Sequence, residues 1–115
     1  MADDCIFCKI IAGEMDTEFV YKDEMAVAFN DINPIAPTHV LVVPIEHIDA
    51  LSDVDSSHEG MLGHLVRICN EVAKINNIAE RGYRVVINCG KEGGQIIPHL
   101  HLHVIGGRHM SGGGG

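Results

Sequence analysis

The chain has 115 residues, 46% of them hydrophobic, which is enough for one domain with a buried core. Sixteen acidic residues against eight lysines and arginines give a formal charge of −8, and no basic block occurs, so we expect no nucleic-acid partner. No apolar stretch approaches ~18 residues and the first residues are acidic, so we predict no membrane span, no signal peptide and a cytoplasmic location.

We expect one domain over residues 1–110 and a disordered glycine-rich tail over 111–115. Apolar spacing predicts a short helix over residues 5–12, which ends at Gly13. Residues 18–22 and 25–29 are predicted strands around a turn at Asp23-Glu24. The two prolines between 33 and 37 make the next segment irregular, and residues 39–43 form a third predicted strand that stops at Pro44.

A longer helix follows in the middle of the chain. Ser56 and Glu59 have the spacing of a capping box, with Ser56 as the N-cap. One stripe of this helix is apolar and should face the sheet; it consists of Met61, Leu62, Leu65, Val66, Cys69, Val72 and Ala73. His58 and His64 are predicted to lie on the surface of the helix.

Residues 83–89 and 99–105 are the fourth and fifth predicted strands. Strands and helices do not alternate regularly, which favours an α+β fold over a parallel one. We therefore predict a five-stranded antiparallel sheet with one long and one short helix, and with the helices on one side. Cys69 and Cys89 lie on apolar faces of their predicted elements, so we expect both to be buried, and as free thiols, because disulfides are rare in cytosolic chains.

The run from His99 to Val104 alternates histidine with apolar residues. A period of two places His99, His101 and His103 on one face. A neutral imidazole is a good nucleophile toward phosphorus near pH 7, especially when one ring nitrogen is held as a donor. The flanking histidines can bind phosphoryl oxygens or protonate a leaving group. The alternative is a row of solvated histidines on an edge strand.

A glycine-rich segment, residues 90–95, leads into the histidine strand. Its three glycines allow successive N–H groups to turn toward a phosphate, although such loops also occur without a ligand. Asn88 could add its amide at the same point or simply cap a turn. The sequence has no P-loop and no obvious magnesium-binding carboxylate cluster, which favours a covalent histidine route.

Cys5 and Cys8 have the C-x-x-C spacing of half a zinc site. A closed tetrahedral site needs two more ligands, and His47 and His99 are the candidates. Two alternatives stay open at this point: unligated cysteines on a short helix, or a redox dithiol.

Together these segments resemble the histidine triad (HIT) family of nucleotide hydrolases and transferases, and most of all its Hint-like branch of nucleoside phosphoramidases. The resemblance covers nearly the whole chain. Besides the triad with Gly106-Gly107-Arg108, it includes residues 6–11, 28–34, 36–44 and 93–95. It implies the HIT fold, with the α-phosphate of a purine nucleotide (AMP- or GMP-like) attacked by His101.

The resemblance implies a role for each matching residue. His101 would form a covalent nucleotidyl intermediate, and the product would be a nucleoside monophosphate. His103 would lie near the leaving group, His39 would support the triad, and Asp31 would accept from the ribose hydroxyls. The other nucleotide contacts implied are Phe29, Asn30, Ile32, Asn88, Gly94, Gln95 and Ile96.

The same resemblance implies structural zinc on Cys5, Cys8, His47 and His99. It also implies a homodimer in which the main helix and strand four join two protomers into one continuous sheet. Ile96 stands where relatives carry a serine, and the tail lacks their aromatic and proline ending, so specificity is open. The alternatives are a Fhit-like dinucleoside polyphosphate hydrolase, a non-catalytic nucleotide-binding adaptor, and a metalloenzyme with three histidine ligands.

Overall fold

The computed structural model describes residues 4–112. Two helices and five strands follow one another along the chain: α1 (Ile6–Ile11), β1 (Phe19–Lys22), β2 (Ala26–Asn30), β3 (Thr38–Pro44), α2 (Glu59–Ile75), β4 (Tyr83–Val86) and β5 (Leu102–Gly106). Two short 3-10 turns, Leu51–Asp53 and Ser56–His58, precede α2. The predicted α+β fold with one long and one short helix is confirmed.

The five strands form one antiparallel sheet in the order β1-β2-β3-β5-β4. β5 therefore lies between β3 and β4, and the central strand β3 is buried along its whole length. In the β3–β5 ladder, His39 lies opposite Ile105 and Leu41 lies opposite His103. Residues directly opposite in a ladder share a face, so His39 and His103 lie on the same side of the sheet.

The sheet is covered on both faces. α2 packs its apolar stripe on one face, against residues such as Ala28, Val40 and Val104. α1 packs Phe7 and Ile10 on the other face, in a second cluster with Val27, Phe29, Leu41 and Val43. The prediction of helices on one side was wrong. The unbroken apolar run in β3 is typical of a strand that is buried on both faces.

The beginning of α2 differs from the prediction. Asp55, not Ser56, caps this segment: its carboxylate accepts from the Ser57 N–H at 2.9 Å, and the His58 ring accepts from the Asp55 N–H at 3.0 Å. A 3-10 turn follows, and the α-helix begins only at Glu59. The segment is capped one residue earlier than the Ser56–Glu59 pair suggested.

The buried stripe of α2 also differs at two positions. Ile68 is fully buried, whereas Val66 is 56% exposed. With 3.6 residues per turn, Ile68 lies within about 20° of Met61 on the helix surface, while Val66 lies roughly 140° away. The buried stripe is therefore centred on Met61, Leu65, Ile68 and Val72.

The last two strands are shorter than predicted. β4 ends at Val86, so Cys89 lies in the following loop and is only half-buried, unlike the buried Cys69. β5 begins at Leu102, because the Leu100 N–H bonds to the Ile48 carbonyl rather than to a neighbouring strand. The alternation nevertheless persists before the strand: Leu100 packs in the α2 cluster, on the opposite side from the histidines.

At the C-terminal end, Ser111 and Gly112 are exposed, while residues 113–115 of the predicted tail lie outside the described residues. The boundaries of the domain and the tail therefore stay predictions. None of the helices within residues 4–112 has the length and hydropathy needed to cross a bilayer.

Candidate active site

A cleft of about 450 Å³ opens on the α1 face of the sheet. It brings together residues from α1, β2, the β2–β3 connection, β3, the segment around residues 90–95 (the glycine loop), and β5 with the residues just before it. Most of the residues predicted to form the site line it: His39, His101, His103, Phe29, Asn30, Asp31, Ile32, Asn88, Gly94 and Ile96. The lining does not include Gln95 or His99.

His101 is held with one ring nitrogen free. Its Nδ1–H donates to the His99 carbonyl at 2.7 Å, so the lone pair of the neutral ring lies on Nε2. Within residues 4–112, the His101 Nε2 has no hydrogen-bond partner. Every fully buried side-chain nitrogen or oxygen in this part of the chain has one, so this Nε2 atom is not fully buried. The Nε2 atom is therefore reached from the cleft that the ring lines. Burial lowers the pKa of His101, which keeps the ring neutral.

A chain of hydrogen bonds sets the protonation of His103. The Ile35 N–H donates to His39 Nδ1 at 3.2 Å, so the single proton of the neutral His39 ring lies on Nε2. That Nε2–H donates to His103 Nδ1 at 2.9 Å, which places the His103 proton on Nε2. Burial, together with the neighbouring His101 and His39, lowers the pKa of His103 to about 4. In the free protein His103 is thus a neutral N–H donor.

Asp31 lies at the end of β2, beside this chain. Its Oδ1 accepts from the Asn33 N–H at 2.8 Å, and its Oδ2 lies 3.4 Å from His39 Nε2. The carboxylate therefore caps the turn and also lines the cleft. One side chain serves both purposes because it has two oxygens with several acceptor positions.

Asp31, His39 and His103 are close enough together to hold a metal ion. The position of the proton on the His39 ring does not fit metal binding. A metal would need the lone pair of His39 Nε2, but that atom carries the proton as long as Nδ1 accepts from the Ile35 N–H. This geometry disfavours a metal ion held by Asp31, His39 and His103.

The glycine loop needs its glycines. A Cβ on Gly93 would lie 2.2 Å from the Cys89 carbonyl oxygen, and Gly94 has a φ of 82°, in the left-handed region. The Asn88 side chain donates to the Gly93 carbonyl at 2.8 Å and so shapes the loop. Asn88 therefore caps the loop and lines the cleft at the same time.

Gln95 has a different place from the one predicted. Its Oε1 accepts from the Gly90 N–H at 2.9 Å, and its Nε2 donates to the Asp49 carbonyl at 2.7 Å. The side chain is thus committed to holding the loop and does not line the cleft. Ile96, next in the chain, is 91% exposed at the mouth of the cleft.

Cys5, Cys8, His47 and His99 form a compact group that could hold a metal ion. The His99 Nδ1 lies 3.3 Å from Cys5 Sγ and 3.6 Å from Cys8 Sγ, and the His47 Nδ1 lies 3.2 Å from Cys8 Sγ. Sulfur and nitrogen ligands of a tetrahedral zinc ion are roughly 3.6 Å apart, given the usual bond lengths. The donor set and its spacing therefore fit zinc.

The far side of each ring supports this reading. His99 donates its Nε2–H to the Pro44 carbonyl at 2.9 Å, and His47 donates its Nε2–H to Asp49 at 2.7 Å. Both bonds leave the Nδ1 lone pairs directed at the sulfurs, which is the usual arrangement behind metal-binding histidines. Burial, and then the bond to Cys5, raise the pKa of Cys8 to about 11, so metal binding would release a proton.

Sequence reasoning missed three contributors to this region. Phe7 is 3% exposed and packs its ring edge-to-face with His101 (centroids 5.1 Å apart) and His99 (5.8 Å). Asp49 orients His47, and the His-x-Asp spacing at 47–49 was a signal for it. Nothing in the sequence pointed to the Ile35 N–H, because a backbone donor carries no residue-type signal.

The comparisons with known proteins agree with this geometry. A family model described as the HIT domain matches residues 12–110. A purine nucleoside phosphoramidase of Escherichia coli is 43% identical over 110 residues, which cover 96% of this chain and 92% of that protein.

Solved structures give the same result. A HIT family hydrolase from Legionella pneumophila superposes with a TM-score of 0.94 at 39% identity, covering 97% of this chain and 100% of that one. A HIT family hydrolase from Clostridium thermocellum superposes at 0.92 with 43% identity, covering 95% of each chain. The chain thus belongs to the HIT family and is a HIT-type hydrolase.

Proposed function

We propose that the protein hydrolyses purine nucleoside phosphoramidates or adenylated small molecules through a nucleotidyl intermediate on His101. The observation that carries the proposal is the bond from His101 Nδ1–H to the His99 carbonyl, which leaves the Nε2 lone pair open to the cleft. The E. coli relative named a purine nucleoside phosphoramidase supports the substrate class.

In the first step, His101 Nε2 forms a bond to the α-phosphorus while the bond from phosphorus to the leaving nitrogen breaks. The electron pair of the broken bond goes to that nitrogen, which also needs a proton. The negative charge of the bound phosphate favours uptake of a solvent proton on His103 Nδ1, which replaces the bond accepted from His39, and the His103 Nε2–H then supplies the proton to the leaving nitrogen. His101 keeps its Nδ1–H, so the positive charge of the phosphorylated ring stays beside the His99 carbonyl.

In the second step, a water molecule attacks the same phosphorus. The bond to His101 breaks, its electron pair returns to Nε2, and the proton of the water passes to the neutral His103. The product is a nucleoside monophosphate, and His101 regains its starting state. The two steps use the same proton-carrying ring in opposite directions.

Binding of the nucleotide would come from the other lining residues. Asp31 keeps acceptor capacity for two adjacent ribose hydroxyls, and the base would lie among Phe29, Asn30 and Ile32. The Ile96 N–H would face the phosphate with the Asn88 amide, whereas the Gly94 N–H already donates to the Lys91 carbonyl at 3.1 Å and shapes the loop. In this proposal, Gln95 acts only by holding the loop.

We further propose that zinc occupies the Cys5, Cys8, His47 and His99 group in a structural role. The ion would tie the start of α1 to the segment that leads into β5, and so fix the position of His101. Such a site needs reduced thiols, in agreement with the cytoplasmic location predicted from the sequence.

A homodimer through α2 and β4 is the remaining part of the proposal. β4 is an edge strand, so one of its sides is unpaired among residues 4–112. Val66 on α2 and Val85 on β4 are large apolar residues exposed by 56% and 39%. Light scattering at micromolar concentration tests this directly; a monomer would contradict it.

The test of the catalytic proposal is turnover of adenosine phosphoramidate and of a diadenosine polyphosphate by the wild type and by His101→Asn. We expect the phosphoramidate to be the better substrate, and we expect His101→Asn to bind AMP but to lose turnover. His109→Asn is the matched control, since His109 is exposed and outside the cleft. Faster cleavage of the polyphosphate would favour the Fhit-like alternative, and unchanged turnover in His101→Asn would refute the proposal.

A further inference from the structure

A second cavity, of about 340 Å³, adjoins the nucleotide cleft. The two share four wall residues: Ile35, His39, Asn88 and His103. Two arginines, Arg84 and Arg108, line the second cavity and are absent from the lining of the first. A molecule bound in the cleft can therefore extend past His103 into a space lined by guanidinium groups.

The pairing of β4 with β5 shows where the second cavity lies relative to His103 and His101. In the β4–β5 ladder, Val86 lies opposite His103 and Arg84 lies opposite Ile105. Ile105 follows His103 by two residues, about 7 Å along the strand, whereas His101 precedes it by the same distance. The arginine-lined cavity thus lies on the far side of His103 from the nucleophile. In an in-line displacement, the leaving group departs on that side.

The charge of the cavity is unusual for this chain. The protein carries sixteen acidic residues and eight lysines and arginines, yet the lining, as far as residues 4–112 form it, holds two arginines and no aspartate or glutamate. Among residues 4–112, the one ion pair made by a lysine or arginine is Lys74 with Glu71. Arg84 and Arg108 therefore have no carboxylate partner within the part of the chain that the structure describes.

Both guanidinium groups are held in place by backbone carbonyls and keep donors to spare. Arg84 donates to the Ser111 carbonyl at 2.5 Å, and Arg108 donates to the carbonyls of Ile35 at 3.1 Å and His109 at 3.2 Å. Each guanidinium has five N–H donors, so most remain available. The planar fork of a guanidinium group matches a carboxylate, and two such groups without a carboxylate partner line this cavity.

We propose that this cavity binds a carboxylate carried by the leaving group. The inference rests on the proposed function and narrows it: the preferred substrates are nucleoside phosphoramidates whose amine also bears a free carboxylate a few bonds from the scissile nitrogen. Arg84 and Arg108 are the specificity-determining residues.

The test compares two adenosine phosphoramidates that differ in one group. One carries γ-aminobutyrate as the amine, and the other carries γ-aminobutyramide, which has the same length without the charge. We expect the wild type to favour the carboxylate in kcat/KM by about tenfold, as a charge-assisted contact at a partly exposed site provides. In the Arg84→Gln/Arg108→Gln double variant, this ratio should fall to about one.

Single variants and a control keep the result interpretable. Arg81→Gln changes an exposed arginine outside the cavity and should leave the ratio unchanged. Arg108→Gln, at an exposed position, should lower the ratio partially without affecting the fold. Arg84→Lys keeps the charge but loses the planar fork, and should give an intermediate ratio. Equal wild-type rates on the two substrates, or an unchanged ratio in the double variant, would overturn the proposal.

A binding measurement separates this inference from the catalytic proposal. Calorimetry with the His101→Asn variant gives the dissociation constants of both phosphoramidates without turnover, and we expect the same preference for the carboxylate. Absence of turnover in the wild type would refute the catalytic proposal, but the carboxylate preference could still be measured from the two dissociation constants. A comparison of ADP with AMP binding tests whether the arginines bind a phosphate group instead of a carboxylate. If the arginines strengthen the binding of ADP and not that of the carboxylate, the cavity takes phosphate and the inference is wrong.

Discussion

Phe7 is the residue through which α1 holds the triad, and its replacement by leucine is the most informative packing variant. The ring is 3% exposed and makes edge-to-face contacts with Phe29 at 5.5 Å, His101 at 5.1 Å and His99 at 5.8 Å between centroids. Aromatic pairs of this kind contribute about 0.5–1.5 kcal/mol each beyond the area they bury. Leucine refills most of the volume but restores none of these contacts.

We therefore expect Phe7→Leu to lower the free energy of unfolding by about 2 kcal/mol and the melting temperature by roughly 8 °C. Activity should fall further than stability suggests, because the edge of the ring orients His101. If the His101 ring shifts by a fraction of an ångström, we expect kcat to fall about tenfold, while KM for the nucleotide changes little.

Urea unfolding and steady-state kinetics measure the two effects. The matched control is Phe19→Leu, since Phe19 borders the same apolar cluster without touching the triad rings. If Phe7→Leu and Phe19→Leu lose stability and kcat to the same extent, the argument that Phe7 positions His101 is refuted.

Three further predictions concern the loop, the metal group and pH. Gly93→Ala should lower kcat/KM by about tenfold or more, because its Cβ would collide with the Cys89 carbonyl and move the phosphate loop; Gly60→Ala, with open space around it, should leave kcat/KM unchanged. Cys8→Ser should reduce bound zinc, measured by elemental analysis, from about one equivalent to less than half, whereas Cys89→Ser should retain it; equal zinc in both would refute the assignment. Burial alone would raise the pKa of Asp23, but bonds from Tyr21, Met25, His64 and Ala26 hold it well below its ordinary value of 3.8. Because the pKa of Asp23 is lower in the folded than in the unfolded protein, the carboxylate stabilises the fold at pH values above its unfolded-state pKa. This stabilisation is lost as the pH falls from the unfolded-state pKa toward the folded-state pKa. The difference in unfolding free energy between wild type and Asp23→Asn should therefore shrink below about pH 4. A difference that stays constant with pH would contradict that assignment.

The sequence predicted the parts of the fold that depend on periodicity and turn chemistry. The five strands, the two helices and the stop at Gly13 follow from such signals, and so does the shared face of His101 and His103. The grouping of Cys5, Cys8, His47 and His99 was also predicted: the C-x-x-C spacing pointed to half a zinc site, and the resemblance to the HIT family implied the full set of four.

Other features depend on tertiary contacts that local patterns do not encode. The coverage of the second sheet face by α1 arises from a six-residue helix that is apolar except at Lys9, so its pattern predicts a helix but not the sheet face that it covers. The protonation of His103 is fixed by the Ile35 backbone, and the orientation of Gln95 is fixed by carbonyls distant in sequence. Arg84 and Arg108 are 24 positions apart, and only the β4–β5 pairing brings them to one cavity.

The nucleophile itself can be observed directly. Rapid-quench mass spectrometry of the wild type with an adenosine phosphoramidate should show a nucleotidyl adduct on the peptide that contains the triad, localised to His101 by fragmentation. The adduct should form and decay at rates compatible with turnover, and His101→Asn should show none. An adduct on another residue, or full turnover with no adduct at any time, would contradict the claim that the free Nε2 of His101 attacks the phosphorus.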